Sequence, residues 1–153
     1  MCRATVARIK VKFKGAAEFI DKAAREIVTE AAGEIVNELK EAGPYYSGDF
    51  ERGWRVLPGD TPVPANLERP LFPTPQQRTV SRTPIPSLRP GARAAMTIGN
   101  RMEYREIAMD LIPGRVEEGK NNTAPQDWFT TYLQGGKMEN TIRRAIKSVE
   151  NRL

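Results

Sequence analysis

Residues 44–56 read PYYSGDFERGWRV, and this stretch separates two different hydrophobic patterns. Before it, apolar residues recur every three or four positions, which is the spacing of a helix. Within it, Phe50, Trp54 and Val56 fall on alternating positions, which is the spacing of a strand. The sequence therefore predicts that a helix ends just before this stretch and that a strand covers residues 49–57.

The pattern before this stretch predicts a long amphipathic helix over residues 16–42. Glycine suits the left-handed position after a helix end and proline cannot continue a helix, so Gly43 and Pro44 supply its stop. The many alanines allow another element to approach closely, and the face opposite the apolar stripe is acidic. The stripe consists of Phe19, Ile20, Ala23, Ile27, Ala31, Ile35 and Leu39, widened by Ala24, Val28, Ala32 and Val36.

The remaining patterns predict shorter elements. Residues 9–14 alternate apolar side chains with lysines and predict a first strand, and residues 94–99 predict a strand that pairs with residues 50–57. Helical spacing recurs in three later segments, at 103–111, around 128–133 and at 138–153. We therefore expect a single α+β domain over residues 1–153. Its small, mostly antiparallel sheet packs against the long N-terminal helix and the C-terminal helix.

A proline-rich segment, residues 58–93, lies between the two strands that we expect to pair. It holds nine of the twelve prolines of the chain, which excludes a regular helix. It also carries five arginines: Arg69, Arg78, Arg82, Arg89 and Arg93. Two interpretations stay open. The segment is either a flexible surface insertion or an extended hairpin arm that is mobile in the free subunit and becomes ordered against neighbouring subunits.

The residue inventory excludes several kinds of chemistry. The chain has no histidine and a single cysteine, Cys2. Zinc sites of the Cys/His type, Ser-His-Asp and Cys-His nucleophiles and an internal disulfide are therefore excluded. No apolar leader and no long uncharged run is present, so we expect a protein made in the cytosol without a membrane segment. We assign no catalytic, cofactor-binding or metal-binding residue.

Two acidic patterns are candidates for catalysis. Glu118-Gly119-Lys120 matches half of a metal-dependent nuclease motif, in which paired carboxylates hold magnesium. A second group, Glu103, Glu106 and Asp110, shares one face of a predicted helix, where a solvated charged face is the simpler interpretation. With a net charge of +5, these patterns leave one alternative function open, a small basic nucleic-acid-binding protein or a metal-dependent nuclease.

Several separated motifs resemble one family. They are Ser47-Gly48-x-Phe50-x-Arg52-x-Trp54 after the long helix, Ile98-Gly99-Asn100 followed by Tyr104, Val116-Glu117-x-Gly119, and Trp128-Phe129 before the last helix. In this order the motifs resemble the head-tail joining and tail-completion proteins of long-tailed double-stranded-DNA phages. The resemblance spans most of the chain except residues 58–93.

This resemblance implies a structural virion protein of the phage neck that is not an enzyme and is made in the host cytoplasm. Such proteins form rings, commonly with six-fold symmetry, that complete or terminate the tail tube and join it to the head connector. The implied partners are further copies of the chain, the neighbouring connector and tail-tube or sheath proteins, and DNA passing through the ring, with no membrane. It also implies fold-determining roles for Gly48, Phe50, Trp54, Asn100, Tyr104 and Trp128. The five arginines of the proline-rich segment are expected at a subunit interface.

Overall fold

The computed structural model describes residues 8–10, 18–45, 48–65, 79, 81–102, 105, 108, 124–125 and 127–152. The predicted α+β class is confirmed, with a small antiparallel sheet, a long N-terminal helix and a C-terminal helix. None of the described helices combines the length and the apolar content needed to cross a membrane. The elements in chain order are β1 (Arg8–Lys10), α1 (Glu18–Ala42), α2 (Asp49–Arg52), β2 (Trp54–Pro58), β3 (Ala95–Asn100), α3 (Trp128–Gln134) and α4 (Lys137–Arg152).

Helix α1 is the central element of the fold. Its 25 residues span about 37 Å at the usual rise of a helix. The predicted stripe is buried from Ala23 onward, and Val28, Ala31, Ala32, Ile35 and Leu39 have no exposed surface. Helices α3 and α4 and the sheet all pack against it. Apart from Phe19 near its start, which is 59% exposed, the apolar side of α1 faces the core.

The sheet has three antiparallel strands in the order β1-β3-β2. The predicted pairing of the two strands that flank the proline-rich segment is confirmed, with Trp54 opposite Asn100 and Val56 opposite Ile98. All six residues of β3 are buried because this strand is central in the sheet. Val63 lies against β3, so close to Gly99 that a Cβ on this glycine would come within 2.6 Å of the valine side chain.

The predicted strand over residues 49–57 is wrong in its first half. Residues 49–52 form the single helical turn α2, and the strand begins only at Trp54. Gly48 adopts φ +86°, and its carbonyl accepts a hydrogen bond from the Arg52 amide at 2.9 Å, which closes the turn. Phe50 and Trp54 are therefore neighbours across a turn rather than on one strand face, and their rings meet edge to face at 5.6 Å.

Residues that the family resemblance singled out for the fold lie in the core. Phe50, Trp54, Asn100 and Trp128 are all at least 94% buried. The Trp128 ring meets Phe50 edge to face at 6.2 Å, and its Nε1 donates a hydrogen bond to the Ala108 carbonyl at 2.8 Å. Tyr104, most of the predicted helix at 103–111 and the Val116–Gly119 motif lie outside the described residues.

The second part of the proline-rich segment, residues 81–93, runs along α1, and we call it the strap. Ser81 contacts Lys40, Ile85 lies over Gly33, the Leu88 carbonyl accepts from Arg25, and the Gly91 amide donates to Asp21. The strap therefore runs antiparallel to the helix. Residues 81–93 thus lie on α1 of the same chain, whereas the arm interpretation expects them against neighbouring subunits.

The length of the strap fits a nearly extended chain. From Asp21 to Lys40 the helix rises about 28 Å, at 1.5 Å per residue. From Ser81 to Gly91 a polyproline-like chain covers about 31 Å, at 3.1 Å per residue. Prolines at 84, 86 and 90 favour this conformation and cannot donate backbone hydrogen bonds. Side-chain contacts with α1 therefore hold the strap in place of a hydrogen-bonded ladder.

Candidate functional site: an arginine-lined cleft

A cleft of about 510 Å³ opens between α2, β2 and the strap. Among the described residues, three arginines line it, and no aspartate or glutamate does. Prolines, aliphatic side chains and Ser81 form the rest of its described wall. The lining consists of Arg52, Arg55, Val56, Ser81, Arg82, Pro84, Ile85 and Pro86.

A buried ion pair anchors one side of the cleft. Lys40 Nζ lies 3.5 Å from Glu51 Oε1, and the two side chains are 1% and 3% exposed. The same ammonium donates to the Ser81 carbonyl at 2.6 Å and contacts Ser81 Oγ at 3.0 Å. Glu51 Oε1 also accepts from the Ser81 amide at 2.8 Å. Helix α1, the turn α2 and the strap thus meet at one buried polar cluster.

The electrostatics of this cluster indicate an anchor rather than a catalytic base. Burial lowers the pKa of Lys40, while the charge of Glu51 and its hydrogen bond act in the opposite direction. A serine beside a lysine occurs in some hydrolases, where the amine takes the hydroxyl proton. Here Ser81 Oγ lies 2.9 Å from Glu51 Oε2, and the carboxylate is the acceptor for its proton. The lysine charge is thus matched by Glu51.

Arg55 is held in place by the backbone. Its Nη1 donates to the carbonyl oxygens of Arg52 and Trp54, both at 2.7 Å. Burial lowers the pKa of Arg55, and the nearby charge of Arg101 acts in the same direction. Because a guanidinium stays protonated at neutral pH despite such effects, the cleft holds a fixed and partly desolvated positive charge.

The other two arginines complete a positive rim. The Arg52 side chain is one-third exposed and lies 3.9 Å from Asp49 Oδ1, and Arg82 is exposed on the strap. Among the described residues, no carboxylate lies within 4.0 Å of Arg55 or Arg82. Three guanidinium groups around one recess form a site that is suited to an oxyanion, because their planar forks match carboxylate and phosphate oxygens.

The described arginines of the predicted subunit interface lie at separate points of the strap. Arg82 lines the cleft, whereas Arg89 and Arg93 are exposed farther along the strap, and Arg93 forms an ion pair with Asp60. Arg69 and Arg78 lie outside the described residues. So do the candidate acids Glu103, Glu106, Asp110 and Glu118, together with Lys120.

Sequence reasoning missed the buried cluster and two of the three arginines in the cleft. One signal was present for Lys40, which follows Ala32 and Val36 at intervals of four and so continues the buried stripe of α1. A lysine at such a position needs a buried partner. No comparable signal identifies Glu51 or Ser81, because only the path of the strap brings them to Lys40.

No group of three or more potential metal ligands occurs within the described part of the chain. Comparisons with protein-family models, with curated proteins and with solved structures gave no significant match.

Proposed function

We propose that the protein is a structural component of the neck of a long-tailed phage. In this role it completes or terminates the tail tube and joins it to the head connector, as a ring built from copies of the chain. The expected symmetry is six-fold, the expected neighbours are connector and tail-tube or sheath proteins, and the finished virion is its location. DNA passes through such a ring without a specific site.

One observation carries this proposal: the two main motifs of the family resemblance form a single junction. The Asn100 side chain donates to the Phe50 carbonyl at 2.7 Å, and its Oδ1 accepts from the Met102 amide at 3.0 Å. Gly53 is required beside it, because a Cβ there would come within 2.4 Å of Asn100 Oδ1. The two motifs are about fifty positions apart and contact each other directly. This contact supports the interpretation that both motifs belong to one fold.

The chemistry of the described surface supports a binding role. The cleft combines positively charged and apolar side chains, which can bind a partner. The polar cluster of Lys40, Glu51 and Ser81 holds the strap against the helix. Both features are compatible with a structural subunit that binds neighbouring subunits.

Disruption of the gene in a phage that carries it tests the proposal. We expect filled heads and complete tails to accumulate separately, as seen by electron microscopy, and joining to be restored when the protein is supplied from a plasmid. Joined, infectious particles at normal yield without the protein would contradict the proposal. A magnesium-dependent DNA cleavage assay on the purified protein tests the alternative nuclease function, and we expect no cleavage.

A further inference from the structure

We infer that the arginine-lined cleft binds an acidic segment of a partner protein. A carboxylate of that segment meets the guanidinium groups of Arg55 and Arg82, and an apolar side chain next to it packs on the proline wall. The inference rests on the proposed function only for the identity of the partner as another subunit of the neck. The binding chemistry follows from the cleft itself.

The charges of the cleft call for an anion. Arg52, Arg55 and Arg82 share one recess and repel each other. The buried acid Asp49 lies 3.9 Å from Arg52, and Glu51 is already bound by Lys40 and Ser81, so Arg55 and Arg82 are the cations that a ligand carboxylate can meet. A carboxylate placed between the guanidinium groups relieves this repulsion and accepts charge-assisted hydrogen bonds. Because Arg55 is already fixed by two backbone acceptors, it loses little conformational freedom when a ligand binds.

The wall of the cleft favours a protein segment over nucleic acid. Sites for single-stranded nucleic acid combine positive charge with aromatic side chains on which bases stack. Among the described residues that line this cleft, none is aromatic. The wall is instead built from Val56, Pro84, Ile85 and Pro86, which suits an aliphatic or aromatic side chain beside a carboxylate.

The size of the cleft points the same way. Its volume of about 510 Å³ matches clefts that enclose a small ligand or a few side chains. Three described arginines surround one recess. A protein that follows a phosphate backbone needs instead a stripe of cations along its surface. The cleft therefore suits one or two carboxylates on a short peptide segment.

Fluorescence anisotropy with the full chain tests the inference. The probe is a short labelled peptide with the core Leu-Glu-Glu-Leu, compared with its Leu-Gln-Gln-Leu counterpart and with labelled single-stranded DNA. The test variant is Arg82→Glu, because Arg82 is exposed and its replacement leaves the core intact. The matched control is Arg143→Glu on α4, whose side chain is 72% exposed and, among the described residues, pairs only with Glu139 of its own helix. Thermal unfolding confirms that both variants are folded.

We expect the glutamate peptide to bind at least about tenfold more tightly than the glutamine peptide, the effect of a lost charge-assisted hydrogen bond. Arg82→Glu should weaken binding by at least about tenfold, and Arg143→Glu should leave it unchanged. Arg82→Lys should give an intermediate loss, because it keeps the charge but not the planar fork.

Three results would overturn the inference. These are equal binding of the two peptides or no binding of either, an equal loss in Arg82→Glu and Arg143→Glu, and tighter binding of DNA that Arg82→Glu abolishes. The last result would identify a nucleic-acid site. If the peptide result is negative while gene disruption still leaves heads and tails unjoined, the inference fails and the proposed function stands.

Discussion

Helix α4 and the strap cover adjacent sides of α1 by different means. Helix α4 buries Ala145 and Val149 in a regular stripe, and its arginines reach the glutamates of α1. The strap has no regular hydrogen-bonded structure and is held at a few points along the helix. The same helix is thus buried once by a periodic partner and once by an extended one. Substitutions can measure how much α4 and the strap each contribute to the free energy of unfolding. The largest effect is expected in the core that both of them enclose.

Trp54→Ala should have the largest effect on stability. Trp54 is fully buried at the start of β2 and contacts Phe50 edge to face, so the variant leaves a large cavity. We expect the free energy of unfolding to fall by about 3–5 kcal/mol in chemical denaturation. Phe19→Ala is the matched control, since this aromatic is 59% exposed and its loss should cost less than about 0.5 kcal/mol. A small loss for Trp54→Ala would mean that the core is not built around this residue.

Glu51→Gln tests the strap side of the comparison. The variant removes the carboxylate charge that lies 3.5 Å from the buried ammonium of Lys40, and we expect a loss of about 3 kcal/mol. The double variant Lys40→Met/Glu51→Gln also removes the buried ammonium, and it should recover at least about 1 kcal/mol of that loss. Urea denaturation of both single variants and the double variant gives the coupling. If the double variant is less stable than Glu51→Gln by the full cost of Lys40→Met, the two residues act independently and the strap is held in another way.

The contrast between the two covers also explains what the sequence could predict. Helix α1, the α3–α4 pair and the pairing of β2 with β3 follow from hydrophobic spacing, because each buries a repeating face. The spacing of Phe50, Trp54 and Val56 predicts a strand where the structure has the turn α2. The same three residues also fit a helical turn closed by Gly48 and followed by a strand from Trp54. Local spacing alone does not distinguish the two.

The cleft could not be predicted for a related reason. Its parts come from α2, β2 and the strap, and an extended chain without periodicity leaves no signal for the side chains that it will meet. Arg82 was one of five arginines in the segment, and nothing in their spacing separates it from Arg89 or Arg93. The contacts of Ser81 with Lys40 and Glu51 bring Arg82 to the same recess as Arg55.

Ile85→Ala and Ile146→Ala compare the two covers directly. Both isoleucines are half-buried and pack on the same core, one from the strap and one from α4. We expect each substitution to lower the free energy of unfolding by about 1–2 kcal/mol, less than for a fully buried isoleucine. Hydrogen exchange of α1 amides in both variants shows whether the strap opens on its own. An effect of Ile146→Ala alone would mean that the strap is not part of the cooperative fold.

The smallest expected effects appear only at alkaline pH, and they have opposite signs on the two sides of α1. On the helical side, burial and the hydrogen bond to Glu38 raise the pKa of Tyr132 far above its usual 10.0. Above pH 10.0 the unfolded chain releases the Tyr132 proton while the folded chain keeps it. The free energy of unfolding should therefore fall by up to about 1.4 kcal/mol per pH unit.

On the strap side the sign is reversed. Burial lowers the pKa of Lys40 below its usual 10.5, so between its folded pKa and 10.5 the unfolded chain binds the extra proton and stability should rise with pH. Urea denaturation from pH 8 to 11 measures both effects as differences from the wild type. Tyr132→Phe should make the decline above pH 10 shallower, whereas Lys40→Met/Glu51→Gln should remove a gain below pH 10.5. If the free energy of unfolding changes with pH in the same way in the wild type and in both variants, the pKa values of Tyr132 and Lys40 are not shifted by burial against α1.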